Sequence, residues 1–377
     1  MKFNFDKKTN NFLKIILKNA QSQNLRVFFV GGIVRDKILN IPTFDIDLLL
    51  LGNAIDFAKT LPDEIKIKSI HKDFCTVKIE FNGIEIDIAS SRAELYPHSG
   101  CLPVIDKIGV NLERDALRRD FSINSLYCEL KLKNNEINYN LIDMINGIED
   151  LKNKTLKVLH QYSYIDDPTR ILRGVGFKYR FGFDFSEYDK RLIREYLNKI
   201  KYENMSIDRN KKVLKKVLNS KFQIEIFKEI IEKKYYKIIT QNEVSVDFEL
   251  INKIFNIFSL DMISMSELYL KIIQNPQIEL LHFEKLSEIH KTFSKIDNID
   301  LAYYYYKTKD ENTLKYLSFK DIHLEVSGDD LIKLGFKQGK LLGKILDEIL
   351  NEKLKSPKNY RTKQQEINWI LKHFPKN

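Results

Sequence analysis

Near residue 160 the apolar residues of this chain change period, and that switch calls for two architectures joined end to end. Upstream, short runs rich in β-branched and aromatic residues stand out: 27–30, 44–51, 76–81 and 84–89. Gly, Asn and helix-like stretches separate them. Asn82-Gly83, between the last two runs, suits a two-residue hairpin turn, whose central positions need positive φ. From Asp166 onward apolar residues recur at helical spacing, as in Ile171, Leu172, Val175 and Tyr179, and again in Leu341, Leu342, Ile345, Leu346 and Ile349. The expected fold class is therefore α+β, a sheet-and-helix head followed by an all-helical neck, body and tail. The expected divisions are a head over 1–150, a neck over 151–220 and a body and tail over 221–377. The polar stretch from about Ser356 is expected to be loosely held.

The chain can bury real cores, because 43% of its 377 residues are hydrophobic and only 14 are Gly and 8 Pro. No apolar run approaches the 18 residues of a membrane span, and the densest, Leu48 to Leu51, follows directly on two aspartates. The charged start, Met1 to Lys8, lacks the apolar core of a signal peptide, so no membrane association and a cytoplasmic location are expected. Cys75, Cys101 and Cys128 show no CxxC pairing, and the histidines lack metal-ligand spacing. Lys and Arg number 62 against 52 Asp and Glu, a formal charge of +10 that fits a polyanionic partner. Lysine pairs such as Lys211-Lys212 and Lys215-Lys216 read as solvated helix faces.

The sharpest local signal is Val30-Gly31-Gly32-Ile33-Val34-Arg35-Asp36, where a strand-like run meets a helix-like one. Two glycines let backbone approach a ligand closely, a helix start offers free N–H groups, and Arg35 lies one turn inside. The pattern is neither GxGxxG nor GxxxxGK[ST]. Asp45 and Asp47 follow in a strand-like setting, where alternation puts both carboxylates on one face, about 7 Å apart. Such a pair can share Mg²⁺, and two metals stabilise the attacking and leaving oxygens of a phosphoryl or nucleotidyl displacement. Asp87, in a run with the same alternation, is a third acid, fitted either to complete the metal site or to help deprotonate a hydroxyl.

These motifs, continued by Asp87-Ile88-Ala89-Ser90-Ser91-Arg92-Ala93-Glu94, by Arg118-Arg119-Asp120-Phe121-Ser122-Ile123-Asn124 and by Asp166-Asp167-Pro168-Thr169-Arg170-Ile171-Leu172-Arg173, strongly resemble the class II tRNA nucleotidyltransferase/poly(A) polymerase family. The resemblance is dense over roughly 27–185 and patchy beyond. It implies a nucleotidyltransferase head and addition of CMP and AMP, from CTP and ATP, to the 3′ end of tRNA without a nucleic-acid template. It also implies Asp45 and Asp47 as Mg²⁺ ligands, and Gly31, Gly32 and Arg35 at the triphosphate. Arg119 belongs with the incoming nucleotide and Asn124 with the ribose or the site's geometry, while Asp167 and Arg170 read the base edge, followed by Arg173. Two departures stand out. Gly176 lies where members often carry a further arginine, and Asp166 replaces a glutamate. The next family segment survives only as Ser206-Ile207-Asp208-Arg209, to which no catalytic role is assigned. The alternatives are a poly(A) polymerase, an enzyme adding only CC or only A, and an inactive RNA-binding protein.

Overall fold

Asp6 starts the first helix, α1 (Lys7–Ser22), by accepting a hydrogen bond from the Thr9 backbone N at 2.7 Å. Phe12, Leu13, Ile16, Leu17 and Ala20 recur on one face of that helix and are buried. The computed structural model describes residues 3–43, 45–200, 202 and 205–375, and the chain divides into two compact units, Met1–Glu243 and Val244–Asn377.

In the first unit, β1 (Val27–Val30) leads through a two-glycine turn into α2 (Gly32–Ile38). The chain continues through β2 (Asp47–Leu50), α3 (Ala54–Ala58), β3 (Lys66–His71), β4 (Thr76–Phe81) and β5 (Ile84–Ser90). A separate two-stranded ribbon, β6 (Arg92–Leu95) with β7 (Val104–Ile108), precedes α4 (Leu112–Leu117), β8 (Leu126–Lys133) and β9 (Glu136–Asp143). The main sheet has seven strands in the order β3-β4-β5-β2-β1-β8-β9, with β2 and β5 running parallel and the other neighbours antiparallel. Asn82 and Gly83 both adopt positive φ, 52° and 81°, and join β4 to β5 as the expected hairpin. Phe28, Val30, Leu49 and Tyr127 of the sheet pack with Leu112 and Ala116 of α4, which seats that helix above β1 and β8.

The expected strand over 44–51 is shorter, since β2 begins at Asp47 and leaves Asp45 in the segment before it. Phe44, which opened that run, lies outside the described residues. The Ile46 carbonyl still accepts from the Asp87 N at 3.1 Å, so pairing with β5 starts just ahead of β2.

After α5 (Gly147–Lys152), helices take over: α6 (Ser163–Asp166), α7 (Thr169–Phe181), α8 (Glu187–Asn198), α9 (Ile207–Leu218) and α10 (Gln223–Glu232). Two two-residue strands, 155–156 and 184–185, pair in parallel among them. The second unit is helical among the described residues: α11 (Phe248–Ile257), α12 (Met262–Gln274), α13 (Leu286–Phe293), α14 (Asn298–Thr308), α15 (Glu311–Phe319), α16 (Gly328–Lys333), α17 (Lys340–Lys355) and α18 (Lys363–His373). The sheet head with a helical C-terminal region is thus the expected α+β class.

The polar end is not loose. Thr362 and Gln365 form a capping box at the start of α18, and Ile370 is wholly buried against Ile345 and Ile349. Glu366 accepts the Lys353 Nζ at 2.6 Å and the Val326 N at 2.8 Å. Polar composition hid a helix that lays Ile367, Trp369 and Ile370 on one apolar cluster. No helix among the described residues is long and apolar enough to cross a membrane.

Candidate active site

The turn between β1 and α2 works only with glycine at its first position, because Gly31 has φ 69° and ψ −126°, a region that side chains bar. A Cβ there would come within 3.8 Å of the Arg119 Nη1. Arg35, one turn into α2, is buried. It donates to Asp36 at 2.8 Å and to the Asn124 Oδ1 at 2.5 Å, and its guanidinium lies over the rings of Phe177 and Phe181. Burial lowers its pKa, while the Asp36 carboxylate opposes that fall. Arg35 thereby ties the head to α7 as well as walling the site.

Asp115 in α4 is the hidden anchor. Fully buried, it takes Arg119 on Oδ2 at 2.8 Å and Arg118 on Oδ1 at 2.9 Å, and it also accepts from the Tyr127 hydroxyl and the Arg92 N. Burial alone would raise its pKa, but Arg119 and Arg118 overcome burial and hold it at about 2. The folded value lies below the ordinary 3.8, so the stabilisation is fully present above pH 3.8 and disappears as pH falls toward 2. Asp115→Asn is expected to cost about 2 kcal/mol, because two buried guanidinium groups lose their counter-charge. Thermal unfolding of both proteins between pH 7 and pH 2 checks it, since the gap should be constant down to about pH 4 and narrow below.

The helical part contributes the other wall. Asp167 ends α6 and, with its Oδ1, accepts from both the backbone N (3.0 Å) and the hydroxyl (2.5 Å) of Thr169, which starts α7. Its Oδ2 accepts from Arg209 at 2.7 Å and Arg173 at 3.2 Å. Burial pushes the Asp167 pKa up, yet Arg173, Arg209 and Arg170 together bring it below the ordinary value. Arg173 also reaches Asp120, which accepts from the Asn124 amide at 3.0 Å. A continuous chain thus runs from Arg35 through Asn124, Asp120 and Arg173 to Asp167.

Arg170 is different. It is 1% exposed and donates from Nη2 to the Arg118 carbonyl at 2.8 Å, but its Nε and Nη1 find no hydrogen-bond partner among the described residues. Buried donors of a charged group rarely stay unpaired, which makes Arg170 the candidate donor among the residues lining the cavity.

One cavity of about 420 Å³ gathers these groups. Gly31, Gly32, Arg35, Arg119, Asn124, Asp167, Arg170 and Arg173 all line it. The sequence had not singled out Arg92, Glu94, Tyr96, Arg118, Asp120 and Arg209, which line it too. Seven arginines face three carboxylates, a balance that suits a ligand as anionic as a triphosphate. Arg209 was visible in a quoted segment, and only its contact with Asp167, 42 residues away, reveals its place.

The three strand-region acids stand apart from that wall. Asp47 and Asp87 are Cα partners across the parallel β2·β5 pair. Burial first, then the Asp87 and Asp45 charges, raise the Asp47 pKa, against Arg119 and Lys78. Asp45 and Asp87 line a second cavity, of about 540 Å³, with Lys78 and Glu85. Asp87 is held by the Lys78 ammonium at 2.9 Å. Among the described residues no three His, Cys, Asp or Glu side chains converge as a metal cluster. Asp47, half-buried and beside the Asp87 and Asp45 charges, is a hard oxygen donor whose strain a divalent cation would relieve, and the exposed Asp45 could share that ion.

Residues 27–157 match the Poly A polymerase head domain family. Among curated proteins, the A-adding tRNA nucleotidyltransferase of Geobacter sulfurreducens is 38% identical over 185 residues, which cover 48% of this chain and 20% of that protein. The A-adding tRNA nucleotidyltransferase of Halalkalibacterium halodurans is 37% identical over 186 residues, 48% of this chain and 42% of the relative. The CCA-adding enzyme of Staphylococcus saprophyticus is 28% identical over 220 residues, covering 57% and 51%. The similarity thus spans between a fifth and about half of these relatives' own lengths. Among solved structures, the apo form II of a CCA-adding enzyme superposes with a TM-score of 0.76 at 24% identity, covering 98% of this chain and 97% of that one. The Thermotoga maritima CCA-adding enzyme complexed with tRNA gives 0.70 at 24%, covering 98% and 96%. At that identity the likeness shows the fold.

Proposed function

We propose that this chain adds CMP and AMP, from CTP and ATP, to the 3′ end of tRNA without a nucleic-acid template, releasing pyrophosphate. The observation that carries the reading is Arg170, a buried guanidinium with two unpaired donors beside a carboxylate, in a cavity otherwise walled by arginines. The head's similarity to A-adding and CCA-adding enzymes supports it. In this reading residues 1–150 carry the chemistry, 151–220 read the base, and 221–377 bind RNA.

The steps follow from the groups present. Arg119, the Gly31-Gly32 turn and Arg35 receive the triphosphate, and Asn124, fixed between Arg35 and Asp120, sets the ribose. Asp45 and Asp47 would hold Mg²⁺, which would supply charge neutralisation for the displacement. The RNA 3′-hydroxyl attacks the α-phosphate, its proton passing to water, while the α–β phosphoanhydride bond breaks and pyrophosphate departs. Asp87, locked to Lys78, tunes the charge beside Asp47 rather than ligating. Asp167 and Arg170 select cytosine and adenine, both of which place an amino donor beside a ring-nitrogen acceptor, whereas guanine and uracil place an oxygen beside an N–H.

A narrower reading, addition of A alone, is favoured by the A-adding relatives at 37–38% identity. One experiment separates them. The purified chain is given tRNA ending at the discriminator base, or at CC, with CTP and ATP singly and together. Full CCA addition lengthens the first substrate by three nucleotides only when both are present. A-only addition leaves the first unchanged and lengthens the second by one. No lengthening of either by any triphosphate overturns the reading.

A further inference from the structure

A third cavity lies in the helical part of the first unit. Helices α7 and α9 pack side by side at Gly176, where a Cβ would meet the Val217 Cγ1 at 3.3 Å. With no side chain at that position, a groove of about 730 Å³ opens between them. Its floor is apolar and half-exposed, made by Phe177, Val213, Val217 and Phe222. Its rim is cationic, made by Arg173, Arg180, Lys216 and Lys221, and no carboxylate lines it.

We propose that this groove binds single-stranded RNA, the nucleotides just upstream of the growing 3′ end. The proposal rests on the RNA-extending reading above for its biological sense, but its chemistry stands separately. The apolar floor offers surface for bases beside Phe222, the Phe177 ring being covered by Arg35, and the rim, where Lys216 and Lys221 stand with Asn219 and Ser220, takes the phosphates between them, the pairing that strand-binding grooves use. The Lys221 ammonium already lies over the Phe222 ring at 4.9 Å, which keeps charge and stacking surface together. Arg173 lines both this groove and the nucleotide cavity, so the two adjoin at that side chain. An acidic peptide would satisfy the rim and leave the floor uncovered.

The test uses the full chain and a fluorescently labelled oligoribonucleotide ending in CC, with binding read by anisotropy at several salt concentrations. Lys216→Glu with Lys221→Glu should weaken binding at least tenfold at low salt. It should also flatten the slope of log K against log salt by about 1.4, two single-strand phosphate contacts. Its affinity for ATP, titrated separately, should match the wild type, because neither lysine lines the nucleotide cavity. Gly176→Ala is the uncharged counterpart: it fills part of the floor and should weaken RNA binding several-fold with the slope unchanged. Undiminished RNA affinity in the lysine variant overturns the proposal, and so does displacement of the RNA by polyglutamate at equal charge concentration. If the wild type adds no nucleotide yet the lysine variant loses RNA binding as described, the catalytic reading fails and the groove stands. If addition proceeds and the variant keeps the wild-type KM for RNA, the groove alone fails.

Discussion

Replacing Asp47 with alanine is expected to slow nucleotide addition by roughly a thousand-fold, about 4 kcal/mol of barrier, with RNA affinity close to the wild type. Asp45→Ala should do nearly the same. The carboxylates supply the charge on which cation binding depends, and no neighbour can replace them. Lys78 occupies Asp87, and the three acids do not converge as a cluster among the described residues. In the proposed function RNA affinity rests on phosphate contacts with basic residues elsewhere, so it should survive. Asp87→Asn is the informative contrast. It removes the largest like charge acting on Asp47 and frees Lys78, so a loss of no more than about tenfold is expected. Single-turnover rates at saturating Mg²⁺, with RNA binding measured alongside, decide the matter. Near wild-type turnover in Asp47→Ala would remove Asp45 and Asp47 from the chemistry, and an Asp87→Asn loss equal to that of Asp47→Ala would make Asp87 a full partner.

Part of this geometry was written locally in the chain. The Asn82-Gly83 turn fixes the register of β4 and β5 from Phe81↔Ile84 inward, and counting from it gives Lys78↔Asp87, the two residues that form an ion pair. The same alternation misled at Asp45, because a period-two pattern does not say where a strand begins. The cavity was legible as a set of motifs, whose eight residues expected at the nucleotide all line it. The anchor beneath it was not. Asp115 looks like an ordinary first-turn acid of α4, and only packing against β8 buries it and makes it hold two arginines. Arg209 was equally obscure, since a contact between α9 and the end of α6 leaves no trace in the spacing of either helix. The final helix failed for a compositional reason, because one apolar face in a polar segment is easily averaged away.

Arg170→Ala is expected to lower kcat/KM for CTP and ATP by ten- to a hundred-fold, roughly 1.5–3 kcal/mol for a lost charged hydrogen bond. UTP and GTP should lose far less, so discrimination against them relaxes. The reason is in the pairing. The Arg170 Nε and Nη1 are unpaired donors, matched to the ring-nitrogen acceptor of cytosine or adenine and opposed to the ring N–H of uracil or guanine. Asp167 complicates the other half of the template. Its Oδ1 takes two hydrogens from Thr169 and its Oδ2 takes one each from Arg209 and Arg173, which fills a carboxylate's four acceptor positions. A base amino group therefore has to displace a donor, and the 3.2 Å bond from Arg173 is the longest of the four. Arg173→Ala should accordingly spare selectivity more than Arg170→Ala does, while Asp167→Ala, which also removes repulsion against a carbonyl oxygen, should relax it as Arg170→Ala does. A phosphate-binding role for Arg170 makes the opposite forecast, with all four triphosphates losing equally and their ratios unchanged. The four kcat/KM values measured for each variant distinguish the two, and equal losses in Arg170→Ala would end the base-reading assignment even with nucleotide addition intact.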